Sequence, residues 1–172
     1  FYTPVWKQSV LPSASSVVNN WLLFVDDCGF GAQLATQLPG AVITVRQGFA
    51  FAKLTDTEYE IDPRSPEDYE TLLAEIKATG PIPSKLVHLW SVSTEDEHLE
   101  TTLDKSFYSL LFLAQAVGQH LLSTELTNDG ANGGAFDLIV ISNSLHKVLG
   151  DERLVPAKST LLGPCRVIPQ EY

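Results

Sequence analysis

A glycine turn near the start of the chain has the outline of a nucleotide-binding site. The letters Gly29-Phe30-Gly31-Ala32-Gln33-Leu34 follow a hydrophobic run and lead into a helical pattern. A dinucleotide site of this kind needs three glycines in the order G-x-G-x-x-G, the third for close packing of the helix on the strand. The third position here is Leu34, and we expect its bulk to push the helix outward.

Two carboxylates, Asp26 and Asp27, stand directly before this turn. They lie close to where a doubly negative pyrophosphate would sit, and the helix amino terminus offers only a fraction of a unit charge in compensation. In favour of binding, Arg46 ends the next predicted strand, where a 2′-phosphate is sometimes bound. We interpret the turn as degenerate and without a cofactor. The alternative is an independent NADP-binding oxidoreductase that uses Gly29, Gly31 and Arg46.

The other chemically capable side chains form no recognisable pattern. The four histidines are far apart in sequence and none is paired with cysteines, whereas a metal site needs several converging donors. No G-x-S-x-G elbow for a nucleophilic serine occurs. Asn143 and Ser144 follow a predicted strand, where α/β proteins often place functional residues, but a polar turn explains them equally well. We therefore predict no catalytic and no metal-binding residue.

The elements that would position these residues alternate between strand and helix. A continuous hydrophobic run typical of a buried parallel strand occurs at 21–25, and further core strands are predicted at 41–45, 85–90 and 136–142. Helices are predicted at 31–38, from Pro66 after an N-cap at Ser65, at 104–122, and at 156–162 before Gly163-Pro164. Alternation from Phe49 onward predicts a small hairpin extension. The order indicates an α/β layered fold with a mainly parallel sheet.

Length and composition limit the function further. The 172 residues fit one domain, 1–172, and the net charge of −10 disfavours binding to nucleic acid and to anionic membranes. The longest apolar segment, Phe107 to Val117, is too short to span a bilayer. Two unrelated cysteines, Cys28 and Cys165, are read as reduced thiols of a cytoplasmic protein. The chain opens at Phe1 and contains no Met, so we expect it to be a piece of a longer protein.

The order of motifs along nearly the whole chain resembles one family. The motifs are Tyr2-x-Pro4-x-Trp6, WLLFVDDCGFGAQLATQL, VITVRQG, Tyr59-x-Ile61-x-Pro63 with Asp68-Tyr69, LVHLW, SFYSLLFLAQAVG and LGPCRVIPQEY. Together they resemble the structural subdomain of the ketoreductase region of modular type I polyketide synthases.

The resemblance implies a truncated Rossmann-like, three-layer half-domain without catalytic residues and without a cofactor of its own. Its implied partner is a catalytic half with a complete short-chain-dehydrogenase fold, which binds NADPH and reduces the β-keto group of an acyl chain carried by an acyl carrier protein. Other polyketide synthase domains would surround the pair. The catalytic Lys, Ser and Tyr of that family would lie beyond Tyr172, so no catalytic residue is assigned here.

A half-domain of this kind should dock on its partner through exposed apolar surface. The alternating segment around Tyr2 and Trp6 is a candidate edge strand. We expect Tyr2, Trp6 and the segment from Val167 to Tyr172 to lie at or beside the contact. A receiver-like interaction domain is a third possibility, disfavoured because the lysines lack the placement that an acidic receiver site needs.

Overall fold

The structure is a computed structural model that describes residues 7, 9, 19–94, 97–126 and 136–171, the last part of the fourth helix, 121–126, as backbone only. Six strands form one sheet in the order β3-β4-β2-β1-β5-β6. The strands are β1 Trp21–Phe24, β2 Val42–Gln47, β3 Ala52–Lys53, β4 Glu58–Ile61, β5 Lys85–His88 and β6 Asp137–Val140. All neighbours are parallel except β3 and β4, which form the antiparallel hairpin that the sequence predicted.

The helices lie on both faces of this sheet. They are α1 Phe30–Gln37, α2 Pro66–Thr79, α3 Leu99–Leu103 and α4 Ser109–Leu126, with a π-helical turn Asp104–Tyr108 between the last two. The chain described ends with a 3-10 helix, Pro156–Leu161, and α5 Leu162–Glu171. The mixed α/β fold with a mostly parallel sheet is therefore confirmed.

The two faces of the sheet have separate hydrophobic cores. One core joins Leu22 and Phe24 of β1 to Leu72 of α2 and Leu113 of α4. The other core is smaller and joins Leu23 and neighbours on the sheet to α1. This arrangement explains the continuous apolar strands, because each central strand must present hydrophobic residues to helices on both sides.

The second face lacks a helix between β2 and β4. Parallel neighbours usually need a crossover of a dozen or more residues, commonly a helix, but residues 48–57 make this connection through β3, which carries the chain back down the sheet edge. The side chains left uncovered are polar. Arg46 and Glu58 lie on this face, and their charged groups are 3.8 Å apart. The fold is thus a truncated Rossmann-like one whose sequence is adapted to the missing helix.

Several helix boundaries differ from the sequence predictions, among them the following two. The helix predicted from Asp104 begins at Leu99, five residues earlier. The last helix does not stop at Gly163-Pro164, because Pro164 lies in the first turn of α5, where a missing N–H costs no intrahelical hydrogen bond. Ser65 is confirmed as the residue before α2 and Pro66 as its first residue. Ser65 bonds to the Asp68 carboxylate at 2.9 Å.

Candidate functional site

The glycine turn places a carboxylate at the amino end of α1. Asp26 is buried, and its Oδ2 accepts hydrogen bonds from the backbone N–H of Cys28 at 2.9 Å and of Phe30 at 3.1 Å. Its Oδ1 accepts a bond from the N–H of Gly31 at 2.5 Å. The first N–H groups of a helix are the donors that bind a phosphate in nucleotide sites. Here a side chain of the chain itself takes those donors.

The two glycines serve this arrangement. Gly29 has φ 87°, in the left-handed region that side chains disfavour. A Cβ on Gly31 would lie 3.0 Å from both Asp26 Oδ1 and the Val25 Cβ, so only glycine lets the helix start so close to the strand. The close approach is made to the carboxylate and not to a ligand.

The third glycine position is part of the hydrophobic core. Leu34 packs against the cluster formed by Leu23, Val25, Val87 and Leu89. Its side chain therefore contributes to holding α1 on the sheet, in the layer where a nucleotide fingerprint requires the smallest residue.

The two aspartates have different roles, which the sequence did not separate. Asp27 is exposed, and its Oδ2 lies 3.5 Å from the Lys105 ammonium, which also contacts the Glu97 carboxylate at 2.7 Å. Asp26 is buried against the helix instead. The two carboxylates that were expected side by side therefore differ: Asp26 is buried, and Asp27 is paired with Lys105 at the surface. The group that opposes a bound phosphate is Asp26.

Arg46 makes its ion-pair contact with a residue of β4, away from the glycine turn. Its guanidinium is largely exposed and has the Glu58 carboxylate 3.8 Å away on the uncovered face of the sheet. An NADP molecule needs hydrogen-bond donors for its pyrophosphate at the helix end, as well as a cation for its 2′-phosphate. At this turn the N–H groups of Phe30 and Gly31 donate to Asp26 instead.

A buried histidine lies in the core between β5 and α4. His88 is fully buried, its Nε2 is 2.9 Å from Ser109 Oγ, and its ring lies 5.6 Å from that of Phe24. Burial lowers the pKa of His88 to about 3, so the imidazole is neutral at physiological pH. Its Nδ1 has no hydrogen-bond partner among the described residues. His88 is thus a residue of the core.

A buried lysine joins the segments that follow β5 and β6. The Lys158 Nζ is 2.6 Å from Asn143 Oδ1 and 2.9 Å from Ser93 Oγ. The Asn143 amide donates to the Ser93 carbonyl at 2.8 Å. These contacts make Asn143 a structural tie, in agreement with the polar-turn interpretation. No local sequence pattern indicates Lys158, because burial of a lysine in a 3-10 helix depends on contacts with residues far away in the chain.

The predicted interface residues are only partly within the described structure. Val167 lies on α5 with 52% of its side-chain surface exposed, while Tyr2, Trp6 and Tyr172 lie outside the described residues. The interface therefore stays a prediction. Cys28 and Cys165 are both exposed free thiols.

In the described ranges no three His, Cys, Asp or Glu side chains are grouped as metal ligands would be. Within the same part of the chain, no helix has both the length and the hydrophobicity needed to cross a bilayer.

Comparison with known proteins adds a family and a fold. Residues 19–127 match the family model described as beta-ketoacyl synthase-like, N-terminal. No curated protein matches the chain.

Two solved structures contain a similar fold. One is an adenylation, ketoreductase and pseudo-Asub multidomain structure of a keto acid-selecting NRPS module, with a TM-score of 0.83 and 24% identity over 98% of this chain. The other is an N-terminal ketoreductase from a macrolactin assembly line, with a TM-score of 0.54 and 22% identity over 60% of this chain. This chain spans only 14% and 23% of those two chains. The predicted resemblance to ketoreductase-containing assembly-line proteins is confirmed at the level of the fold.

Proposed function

Because the chain belongs to the beta-ketoacyl synthase-like, N-terminal family, we propose that it is the non-catalytic structural half of an assembly-line ketoreductase. Its companion would be a catalytic half in the same cytoplasmic polypeptide, which reduces a β-keto acyl chain on an acyl carrier protein with NADPH. The fold similarity to two ketoreductase-containing chains, both longer than this one, supports this context.

One observation carries the non-catalytic part of the proposal. The Asp26 carboxylate holds the N–H groups at the start of α1 that would otherwise bind a dinucleotide phosphate. Displacing a buried carboxylate from its backbone donors would leave a charge without hydrogen bonds, which is costly. The N–H groups of Phe30 and Gly31 are therefore already in hydrogen bonds and would have to give up Asp26 to bind a ligand.

The test is a fluorescence titration of the purified, folded chain with NADPH. We expect no saturation up to millimolar nucleotide. Saturation at micromolar nucleotide that is lost in Arg46→Ala and kept in the matched surface variant Arg64→Ala would instead establish the alternative, an independent NADP-binding oxidoreductase.

The companion half gives a second test. In the parent polypeptide we expect one NADPH per chain, bound outside residues 1–172, and reduction of a β-keto thioester. Substitution of Arg46 should leave both unchanged. A parent protein without ketoreductase activity would contradict the proposed context.

A further inference from the structure

The two edges of the sheet are protected to different degrees. At one edge, β3 has only two residues and carries Lys53, whose ammonium lies 3.0 Å from the Glu75 carboxylate. Short strands and lysines are the usual means of preventing a sheet edge from pairing with another chain. At the other edge, β6 reads Asp-Leu-Ile-Val, with no proline and no lysine.

The backbone of β6 is available for pairing on its outer side. The N–H groups of Asp137 and Ile141 bond to Ser84 and His88 of the β5 side at 2.8 and 2.9 Å. Because backbone groups of successive strand residues alternate in direction, those of Leu138 and Val140 point away from β5. No strand pairs with this side in the described part of the chain.

An apolar groove runs beside this edge. A cavity of about 690 Å³ lies between α4 and α5 and is lined mainly by hydrophobic residues, among them Leu113, Val117, Leu138, Ile168 and Pro169. A second cavity of about 470 Å³ shares Val140 and Cys165 with it. The two form one groove along β6.

The surface around the groove is also hydrophobic. Val148 and Leu162 line the second cavity and remain exposed, and Ile139 is 42% exposed on the opposite face of β6. Exposed apolar surface next to an open strand edge is typical of an interaction site.

We propose that the outer edge of β6 and the groove between α4 and α5 bind an extended segment of the companion half in the same polypeptide. This inference rests on the proposed function. The free N–H and C=O groups of Leu138 and Val140 require a strand as the occupant, and the groove requires hydrophobic side chains at every second position of that strand. The similar fold makes up 14% of a longer chain in a solved structure, so such a segment would be tethered and present at high effective concentration.

A second copy of this chain is the less suitable occupant. Pairing β6 with β6 would bring together two chains that each carry a net charge of −10, and like charges oppose association. Binding of a segment tethered to this chain does not require two such charged chains to associate.

The first test is residue-resolved amide hydrogen exchange on the intact parent polypeptide. The N–H groups of Leu138 and Val140 should exchange about as slowly as those of Asp137 and Ile141, which bond to the β5 side, because both sets would be in sheet hydrogen bonds. Exchange on the order of tenfold or more faster at Leu138 and Val140 would show an unpaired edge and would overturn the proposal.

The second test identifies the occupant. A photo-crosslinking amino acid in place of Ile168, in the groove, should attach to the companion half. Attachment to residues 1–18 of this chain, or to a second copy, would overturn the proposal. A parent protein that reduces β-keto thioesters while cross-linking elsewhere would refute this docking site and leave the proposed function intact.

A pair of variants tests the strand edge itself. Val140→Pro removes the outward N–H and leaves the bonds to β5 in place, whereas Val140→Ala loses the same side chain and keeps the N–H. We expect Val140→Pro to abolish the Ile168 cross-link and Val140→Ala to retain it. Equal cross-linking in the two variants would show that no strand pairs at this edge.

Discussion

The side chain that most distinguishes the glycine turn is the buried carboxylate of Asp26, which accepts hydrogen bonds from three backbone N–H groups. Asp26 offers the anion that the amino end of α1 would otherwise take from a phosphate. From the sequence we expected an obstacle to phosphate binding at this position, but we attributed it to the adjacent charges of Asp26 and Asp27. Only the structure shows that Asp26 alone is turned into the helix while Asp27 pairs with Lys105 at the surface.

Replacing Asp26 should therefore destabilise the fold far more than replacing its neighbour. Asp26→Ala leaves three backbone N–H groups without their acceptor, and we expect the free energy of unfolding to fall by about 2 kcal/mol. Asp27→Ala removes one surface ion pair and should cost less than about 1 kcal/mol. Urea unfolding of both variants measures the difference, and equal losses would refute the role given to Asp26.

His88 should make the stability depend on pH. Its pKa is lowered to about 3 by burial, while in the unfolded chain it has the ordinary value of about 6.5. The unfolded state therefore binds a proton first as the pH falls, and stability is lost from about pH 6.5 downward, by up to about 1.4 kcal/mol per pH unit. Unfolding measured between neutral pH and about pH 4.5 should show this slope.

The matched variant for this prediction is His88→Gln, which keeps a polar side chain and cannot be protonated. Its absolute stability is expected to be lower, but its loss of stability with falling pH should be smaller than in the wild type. The same slope in both proteins would assign the pH dependence to other groups.

Among the helices and strands, the residue at the third glycine position of the turn also contributes to packing. Leu34 holds α1 on the sheet, so restoring a glycine would weaken the helix without opening a site. We expect Leu34→Gly to lower the free energy of unfolding by about 2 kcal/mol, through lost burial and lower helix propensity. Leu34→Ala should cost about 1 kcal/mol less. NADPH binding by Leu34→Gly would contradict the view that Asp26 is what excludes the nucleotide.

The elements could be predicted from the sequence where local pattern and final environment agree. The buried parallel strands read as hydrophobic runs, and the start of α2 at Ser65-Pro66 has a local signature. The predicted end of the last helix was wrong. A proline usually indicates that a helix stops, whereas Pro164 lies in the first turn of α5. Burial of Lys158 depends on Ser93 and Asn143, which are distant in sequence, so no local pattern could reveal it.

Across the described part of the molecule there is a hydrophobic core on each face of the sheet, and the one against α1 is the smaller. The second face lacks a helix between β2 and β4 and is polar there, so that part can face water. The edge at β6 is hydrophobic and open.

If the two halves of the parent protein share an interface, instability in this half should appear as heat sensitivity of the reaction. In the parent polypeptide, Asp26→Ala should leave kcat and KM at 25 °C unchanged, because no residue of this half would touch the substrate. The temperature of thermal inactivation should fall by about 6 °C, the shift expected for a loss of about 2 kcal/mol in a unit of this size.

Asp27→Ala is the control for this experiment, and its inactivation temperature should stay within about 3 °C of the wild type, since a surface ion pair contributes less than about 1 kcal/mol. A change in KM for the β-keto substrate would place this half at the active site and contradict its structural role. An unchanged inactivation temperature in Asp26→Ala, with unfolding of residues 19–171 confirmed by hydrogen exchange, would show that the catalytic half does not depend on this one for its stability.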